Sequence, residues 1–214
     1  MLSDTDVAVV GLGLHGSWIA RALINLEPRS LLLWDGDQVE QHNLRSQNYA
    51  ARHLGDVKSV ATRANMLSAR RHIWVAAEKM WSSNQRVLGE AAKGIVICCA
   101  DSMAVRLELA KQVGWLYGAS LFIETRSLGN DGYVHAFNAE PEYVNHYVNT
   151  CFPERVAAVE CGGAGTAAMG MMMAALVTTI VAQWKGGGEA QLPLNEHHIQ
   201  LGYGHQASPF IIAQ

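Results

Sequence analysis

An apolar run rich in β-branched residues (7–10) ends in Gly11-Leu12-Gly13-Leu14-His15-Gly16, and a helical pattern carried by Trp18, Ile19, Ala22, Leu23 and Leu26 follows. Pro28 stops that pattern, and residues 31–34 read as a second buried strand. Strand, glycine turn, helix and strand in this order make a βαβ unit. Such a unit requires a parallel sheet with a helix laid over it. The turn also leaves backbone amides exposed at a helix N-terminus, where an anion is favoured. Gly11 allows the tight turn, Gly13 lets a phosphate approach the backbone, and Gly16 lets the helix pack close to the strand. Asp35, at the end of the second run, is placed to accept hydrogen bonds from a ribose. Taken alone, the motif calls for an adenine nucleotide. It does not choose between a dinucleotide, as in a nicotinamide dehydrogenase, and ATP.

The rest of the chain extends the alternation. A helix is expected over residues 57–70, strands over 73–77 and 95–99, a helix opening at Asp101, a strand over 121–125, and a more exposed sixth strand over 133–138. Residues 141–161 mix aromatic, polar and proline residues and read as a long crossover or lid loop. After Gly186-Gly187-Gly188, the tail from residue 192 reads as an added edge strand. The expected fold is therefore α/β, a doubly wound and mostly parallel sheet with helices on both faces and a C-terminal extension. We take all 214 residues as one domain, with a core over about 5–185 and a tail over 186–214.

Composition excludes several classes. Half of the residues are hydrophobic and 16% are charged, enough apolar material for a packed core rather than a disordered tail. The net charge of −3 carries no electrostatic footprint for nucleic acid. The uncharged stretch 161–184 is long enough for a membrane span. Its Gly, Ala and Thr content makes it the buried helix of a soluble core instead, and no membrane partner is expected. Cys98, Cys99, Cys151 and Cys161 form no CxxC pair, so no structural zinc is expected, and reduced thiols fit a cytoplasmic protein.

The segment after the second strand decides between nucleotides. It runs Asp35-Gly36-Asp37-Gln38-Val39-Glu40-Gln41-His42-Asn43-Leu44-Arg45-Ser46-Gln47, then Gly55-Asp56-Val57-Lys58, and later Asp101-Ser102 with Arg106. These bring Asn43, Arg45, Gln47, Lys58 and Asp101 to the carboxyl edge of the sheet: cations and amides for phosphates, and a carboxylate for Mg²⁺. A nicotinamide or flavin oxidoreductase, the first rival reading, leaves these residues without a task.

In these blocks the chain resembles the adenylating domain shared by ThiF, MoeB and the ubiquitin-activating enzymes. The family pattern is GxGxxG, DxDxVxxSNLxRQ, GxxK, and a strand ending in DN with an Arg five residues after the Asp. All four blocks occur in order here. The resemblance implies an ATP-dependent adenylyltransferase that activates a carboxylate, typically the C-terminus of a ubiquitin-like or sulfur-carrier-like protein, as an acyl-adenylate with release of pyrophosphate. It further implies a homodimer. Carried over by position, Gly11, Gly13 and Gly16 lie beside the nucleotide and Asp35 holds its ribose. Asn43, Gln47 and Lys58 contact phosphates, Arg45 stands in as a nearby cation, and Asp101 holds Mg²⁺. Arg106 either serves the site or pairs with a carboxylate. Cys161 falls where ThiF-like enzymes carry an acyl-accepting cysteine, and Arg126 is a candidate for steadying the substrate carboxylate.

The departures are His42 for Ser, Ser46 for Arg and Ser102 for Asn. The first of these resembles a divergent subgroup found beside mobile elements and phages. Ser46 motivates a second rival, an ATP-binding partner subunit with weakened catalysis.

Overall fold

The computed structural model of the chain describes residues 1–69, 74–78, 94–113, 120–128, 131–150, 165–187, 195–200 and 212–213. Among the described residues, eight strands form one sheet: β1 (Asp6–Val10), β2 (Ser30–Trp34), β3 (Trp74–Glu78), β4 (Ile95–Cys98), β5 (Leu121–Leu128), β6 (Asp131–Phe137), β7 (Asn195–Gln200) and β8 (Ile212–Ala213). Their spatial order is β3-β2-β1-β4-β5-β6-β7-β8. The first five strands are parallel, with Val7 opposite both Leu31 and Ile95, and Cys98 opposite Glu124. From β5 onward every pairing is antiparallel. The chain runs outward from β1 to β3 and then returns to β4 on β1's other side. That reversal opens a crevice at the carboxyl ends of β1 and β4, the place where open α/β sheets hold ligands.

Helices cover both faces. α1 (Leu14–Leu23), α2 (Lys58–Ala69) and α5 (Gly165–Gly186) lie on one side; α3 (Met103–Gln112) and α4 (Pro141–Thr150) lie on the other. Because β1 is covered on both faces, Val7, Ala8 and Val9 are all fully buried, and the strand reads as a continuous apolar run. Val7, Val9, Leu31, Leu33, Ile95 and Ile97 pack beneath α1 and α5, while Ala8, Val10, Leu32, Val96 and Phe122 pack against α3 and α4. The period-two alternation within each strand thus builds two cores from one sheet.

Three expectations are corrected. Residues 141–161 are not wholly a loop: Pro141–Thr150 is helical, and the remainder lies outside the described residues. Proline suits the first turn of a helix, where its missing N–H costs nothing, and Val144 and Tyr147, one turn apart, bury against Phe122 and Phe137. β6 is not more exposed: Val134 to Phe137 are buried, since β5 and β7 flank the strand and α5 covers it. At Gly132 a Cβ would lie 2.6 Å from Met169 Sδ, so this glycine admits the α5 methionine. β5 runs past Thr125 to Leu128 because its ladder with β6 continues to the Leu128–Asp131 pair. The tail does add sheet, as β7 beside β6 with β8 outside it.

The helix α5 is long and apolar enough to cross a membrane by length and composition, over Ala167–Gly186, with Lys185 in its last turn. One side of it is in the core: Met169, Met173, Val177 and Val181 are buried with α1 residues Ile19 and Leu23. The α1–α5 crossing is close at Gly170, where a Cβ would lie 2.6 Å from Trp18 Cδ1 and 2.7 Å from Leu14 O. Gly170→Val is therefore expected to force these helices apart and to lower stability by about 1–3 kcal/mol, as overpacking typically does. Urea unfolding measures this; an unchanged midpoint would mean that the helices do not meet there.

Candidate nucleotide site

The glycine turn is shaped by what surrounds it. Gly11 has φ +87°, a left-handed conformation that favours glycine, and its N–H donates to Trp34 O at 2.8 Å. A Cβ there would lie 2.7 Å from the Cys99 carbonyl group, and a Cβ at Gly16 would collide with Gly11 O. Among the described residues, nothing lies within 4 Å of where a Cβ would be on Gly13, at the start of α1. The two outer glycines are thus required by packing. The middle one faces open space, as a backbone approached by a phosphate must.

Asp35 fastens this turn to the end of β2. Its Oδ2 accepts the Leu12 N–H at 2.7 Å and its Oδ1 accepts the Asp37 N–H at 2.9 Å. Burial raises its pKa above the ordinary carboxylate value, while these amides and the nearby Lys58 oppose the rise. Lys58, at the start of α2, is buried, and its Nζ donates to the exposed Asp37 at 3.0 Å. Asp35, Asp37 and Lys58 therefore stand together beside the glycine turn. Asp37 as the lysine's partner was not assigned a role from the sequence, although the two-aspartate spacing carried the signal.

The segment after Asp37 docks onto the start of α1. Trp18 Nε1 donates to Ser46 O at 2.9 Å, and the Asn48 N–H donates to Ser17 Oγ at 3.0 Å. Gln47 is held between these two contacts, and its Oε1 is buried with no partner among the described residues. Asn43 is buried and its Oδ1 accepts the Glu40 N–H at 2.9 Å, so this atom caps the turn Gln41–Arg45. Ser46, at the family pattern's Arg position, is turned inward and is 2% exposed, whereas Arg45 beside it is exposed. Asp101 is exposed on the loop after β4, two residues beyond the Cys99 backbone that contacts Gly11; Ser102 caps α3. Cys161 and Cys151 lie outside the described residues. Cys98 is buried at the end of β4, and burial pushes the Cys99 thiol up to about 12, which suits packing rather than nucleophilic attack.

A second polar cluster underlies this edge. Glu124 on β5 is fully buried and forms an ion pair with Arg106 of α3, which also donates to Thr125 O at 3.0 Å. Arg126 Nε donates to both Glu124 oxygens, at 3.0 and 2.8 Å, and its guanidinium lies 5.6 Å from the centre of the Tyr147 ring. His135 Nε2 lies 3.8 Å from Glu124, and burial together with the two arginines pushes its pKa down to about 4. Arg106 thus takes the carboxylate-pairing alternative. On the opposite face His15, from within the glycine turn, shares a hydrogen bond of 3.0 Å with Thr125 Oγ1. Burial, assisted by Arg106, lowers its pKa to about 4. His15 had no role in the sequence reading; an imidazole inside a glycine turn was the available signal.

Comparison with known proteins decides the family. The ThiF family model matches residues 1–203. The chain belongs to the ThiF family. Its fold is shared by the solved structures of PaaA and MccB. PaaA superposes with a TM-score of 0.69 and 18% identity, covering 100% of this chain and 73% of PaaA. Escherichia coli MccB crystallised with ATP superposes with a TM-score of 0.70 and 17% identity, covering 99% of this chain and 64% of MccB. MccB with AMPCPP and MccA gives 0.70 and 16%, with the same coverage. This ThiF-family chain therefore spans less than two thirds of MccB. No curated protein matches it.

The neutral His15 links this site to pH. Its folded pKa, about 4, lies below the ordinary value of 6.5, so the unfolded chain binds the extra proton first. The stability it contributes is complete above pH 6.5 and is lost as the pH falls through 4. His15→Gln is expected to flatten the pH dependence of the unfolding free energy across that window. A profile parallel to that of the wild type would show that His15 is not buried as a neutral ring.

Proposed function

We propose that this ThiF-family chain is an ATP-dependent adenylyltransferase that activates a carboxylate as an acyl-adenylate and releases pyrophosphate. The observation that carries the reading is the convergence of Asp35, Asp37 and Lys58 beside the open side of Gly13, with residues 46–48 fastened to the same helix start. A dinucleotide site has use for the glycines and Asp35 but none for a buried lysine at this edge. The MccB structures holding ATP and AMPCPP add support at the level of the fold.

In the proposed reaction a carboxylate oxygen attacks the α-phosphorus of ATP. The bond from that phosphorus to the bridging oxygen breaks, and pyrophosphate leaves with the electron pair. The amides around Gly13 and the positive end of α1 receive the phosphate oxygens, and Asp35 positions the ribose. Lys58 moves from Asp37 to the phosphates, where a cation stabilises the charge of the departing pyrophosphate. Asp101 supplies an exposed carboxylate of the kind that binds Mg²⁺, which when bound neutralises phosphate charge. The substrate we assign is the terminal carboxylate of a ubiquitin-like protein or a peptide, the latter supported by the MccB structure that contains MccA. Cys161 is the acceptor this reading assigns for the acyl group.

The buried Ser46 at the Arg position favours one other reading, a partner subunit that binds ATP without turnover. Exchange of labelled pyrophosphate into ATP, driven by candidate carboxylate proteins and peptides, separates the two. The adenylyltransferase reading predicts exchange, lost by at least a hundredfold in Lys58→Ala and Asp101→Ala, the scale typical of removing a charge-stabilising group. Tight ATP binding without exchange, with an acceptor that exchanges on a relative, would establish the partner-subunit reading.

A further inference from the structure

About 10 Å along α1 from the glycine turn, at the rise of 1.5 Å per residue, a cavity of about 270 Å³ opens between the last turn of α1, residues 48–53 and α2. It is lined by Arg21, Asn48, Tyr49, Arg52, His53 and Asn65, and among the described residues no acidic side chain contributes to the lining. Asp56, which is not part of the lining, opposes the lowering of the His53 pKa.

The hydrogen bonds within this lining leave donors in excess. Asn65 Oδ1 accepts from Arg52 at 2.9 Å, and its Nδ2 donates to Asn48 O at 3.3 Å, so the amide is already engaged in orienting the arginine. His53 Nδ1 accepts the Ala50 N–H at 3.0 Å. Burial and Arg52 lower its pKa, so the ring is neutral with its proton on Nε2, a donor. Two arginines and a neutral imidazole therefore line the space, with a formal charge of +2. A dianion balances that charge, and planar guanidiniums match phosphate oxygens in pairs.

We propose that this cavity is a second anion site, separate from the nucleotide crevice, that binds the phosphate group of a small phosphorylated molecule or of inorganic phosphate. The volume exceeds that of a bare phosphate and leaves room for an attached organic group beside the Tyr49 ring. An occupant also touches residues that support the glycine turn: Tyr49 donates from its hydroxyl to Leu12 O at 2.8 Å, and the Asn48 N–H is bound to Ser17. The proposal stands whether or not the crevice adenylates a carboxylate.

Calorimetric titration of the full chain with inorganic phosphate, glycerol 3-phosphate and acetate tests it, in the wild type, in an Arg21→Gln/Arg52→Gln double variant and in Lys58→Gln. The expected result is saturable binding of a phosphate probe that the double variant weakens at least tenfold and Lys58→Gln leaves intact. Tighter binding of glycerol 3-phosphate identifies the phosphorylated molecule as the source; tighter binding of inorganic phosphate identifies the free ion. Arg52→Lys, which keeps the charge but loses the planar fork, should bind with intermediate strength and guards against a folding defect in the double variant. No saturable binding at millimolar phosphate, loss of binding in Lys58→Gln, or acetate binding as tightly as phosphate would each overturn the assignment.

Discussion

The contact on which this site depends is the hydrogen bond from the Leu12 amide to the Asp35 carboxylate, 2.7 Å long and joining residues from two strand ends. Asp35 fixes the glycine turn from one side, while the backbone of Cys99 presses on Gly11 from the other. With its second oxygen it holds the Asp37 amide, and Asp37 in turn holds Lys58. A single partly buried carboxylate thus sets the turn, the path of the following segment and the position of the Lys58 ammonium. Hydrogen bonds to a charged acceptor are stronger than those between neutral groups, which lets so few contacts fix so much backbone.

The electrostatics of the edge are layered. Asp37–Lys58 joins a buried lysine to an exposed carboxylate, so solvent screens the pair from one side. Glu124 with Arg106 and Arg126 is buried and cannot open cheaply, since removing one partner leaves an uncompensated charge in the core. The first pair suits function and the second suits support. The two histidines beside the arginines remain neutral for the same reason, so the support carries positive charge on the arginines alone.

The βαβ unit, the two outer glycines and the position of Asp35 beside the turn were legible because each follows from local chemistry. Gly11 needs a positive φ, Gly16 needs contact with Gly11 O, and Asp35 ends a strand. The antiparallel half was harder to read, since β6, β7 and β8 are joined by pairings distant in sequence. α4 was obscured by Pro141, which begins that helix rather than interrupting it. At the site, spacing brought Lys58 to the correct edge but did not give its partner. Asn43 shows the opposite case: its pattern matched a phosphate contact, yet its carbonyl oxygen is engaged in capping the turn, because Glu40 lies three residues before it. The Glu124 cluster draws on positions 106, 124, 126 and 135, and only a folded sheet makes these neighbours.

The central claim is that the turn held by Asp35 serves a triphosphate and not a dinucleotide. Titration of the full chain with Mg-ATP and, separately, with NAD⁺, NADH and NADPH tests it most directly, with a Lys58→Ala, Asp101→Ala double variant as control. The account predicts that Mg-ATP binds, that the double variant loses this binding, and that the nicotinamides give no heat. Binding of a nicotinamide in place of ATP would contradict it and make the chain an oxidoreductase built on a ThiF-family fold.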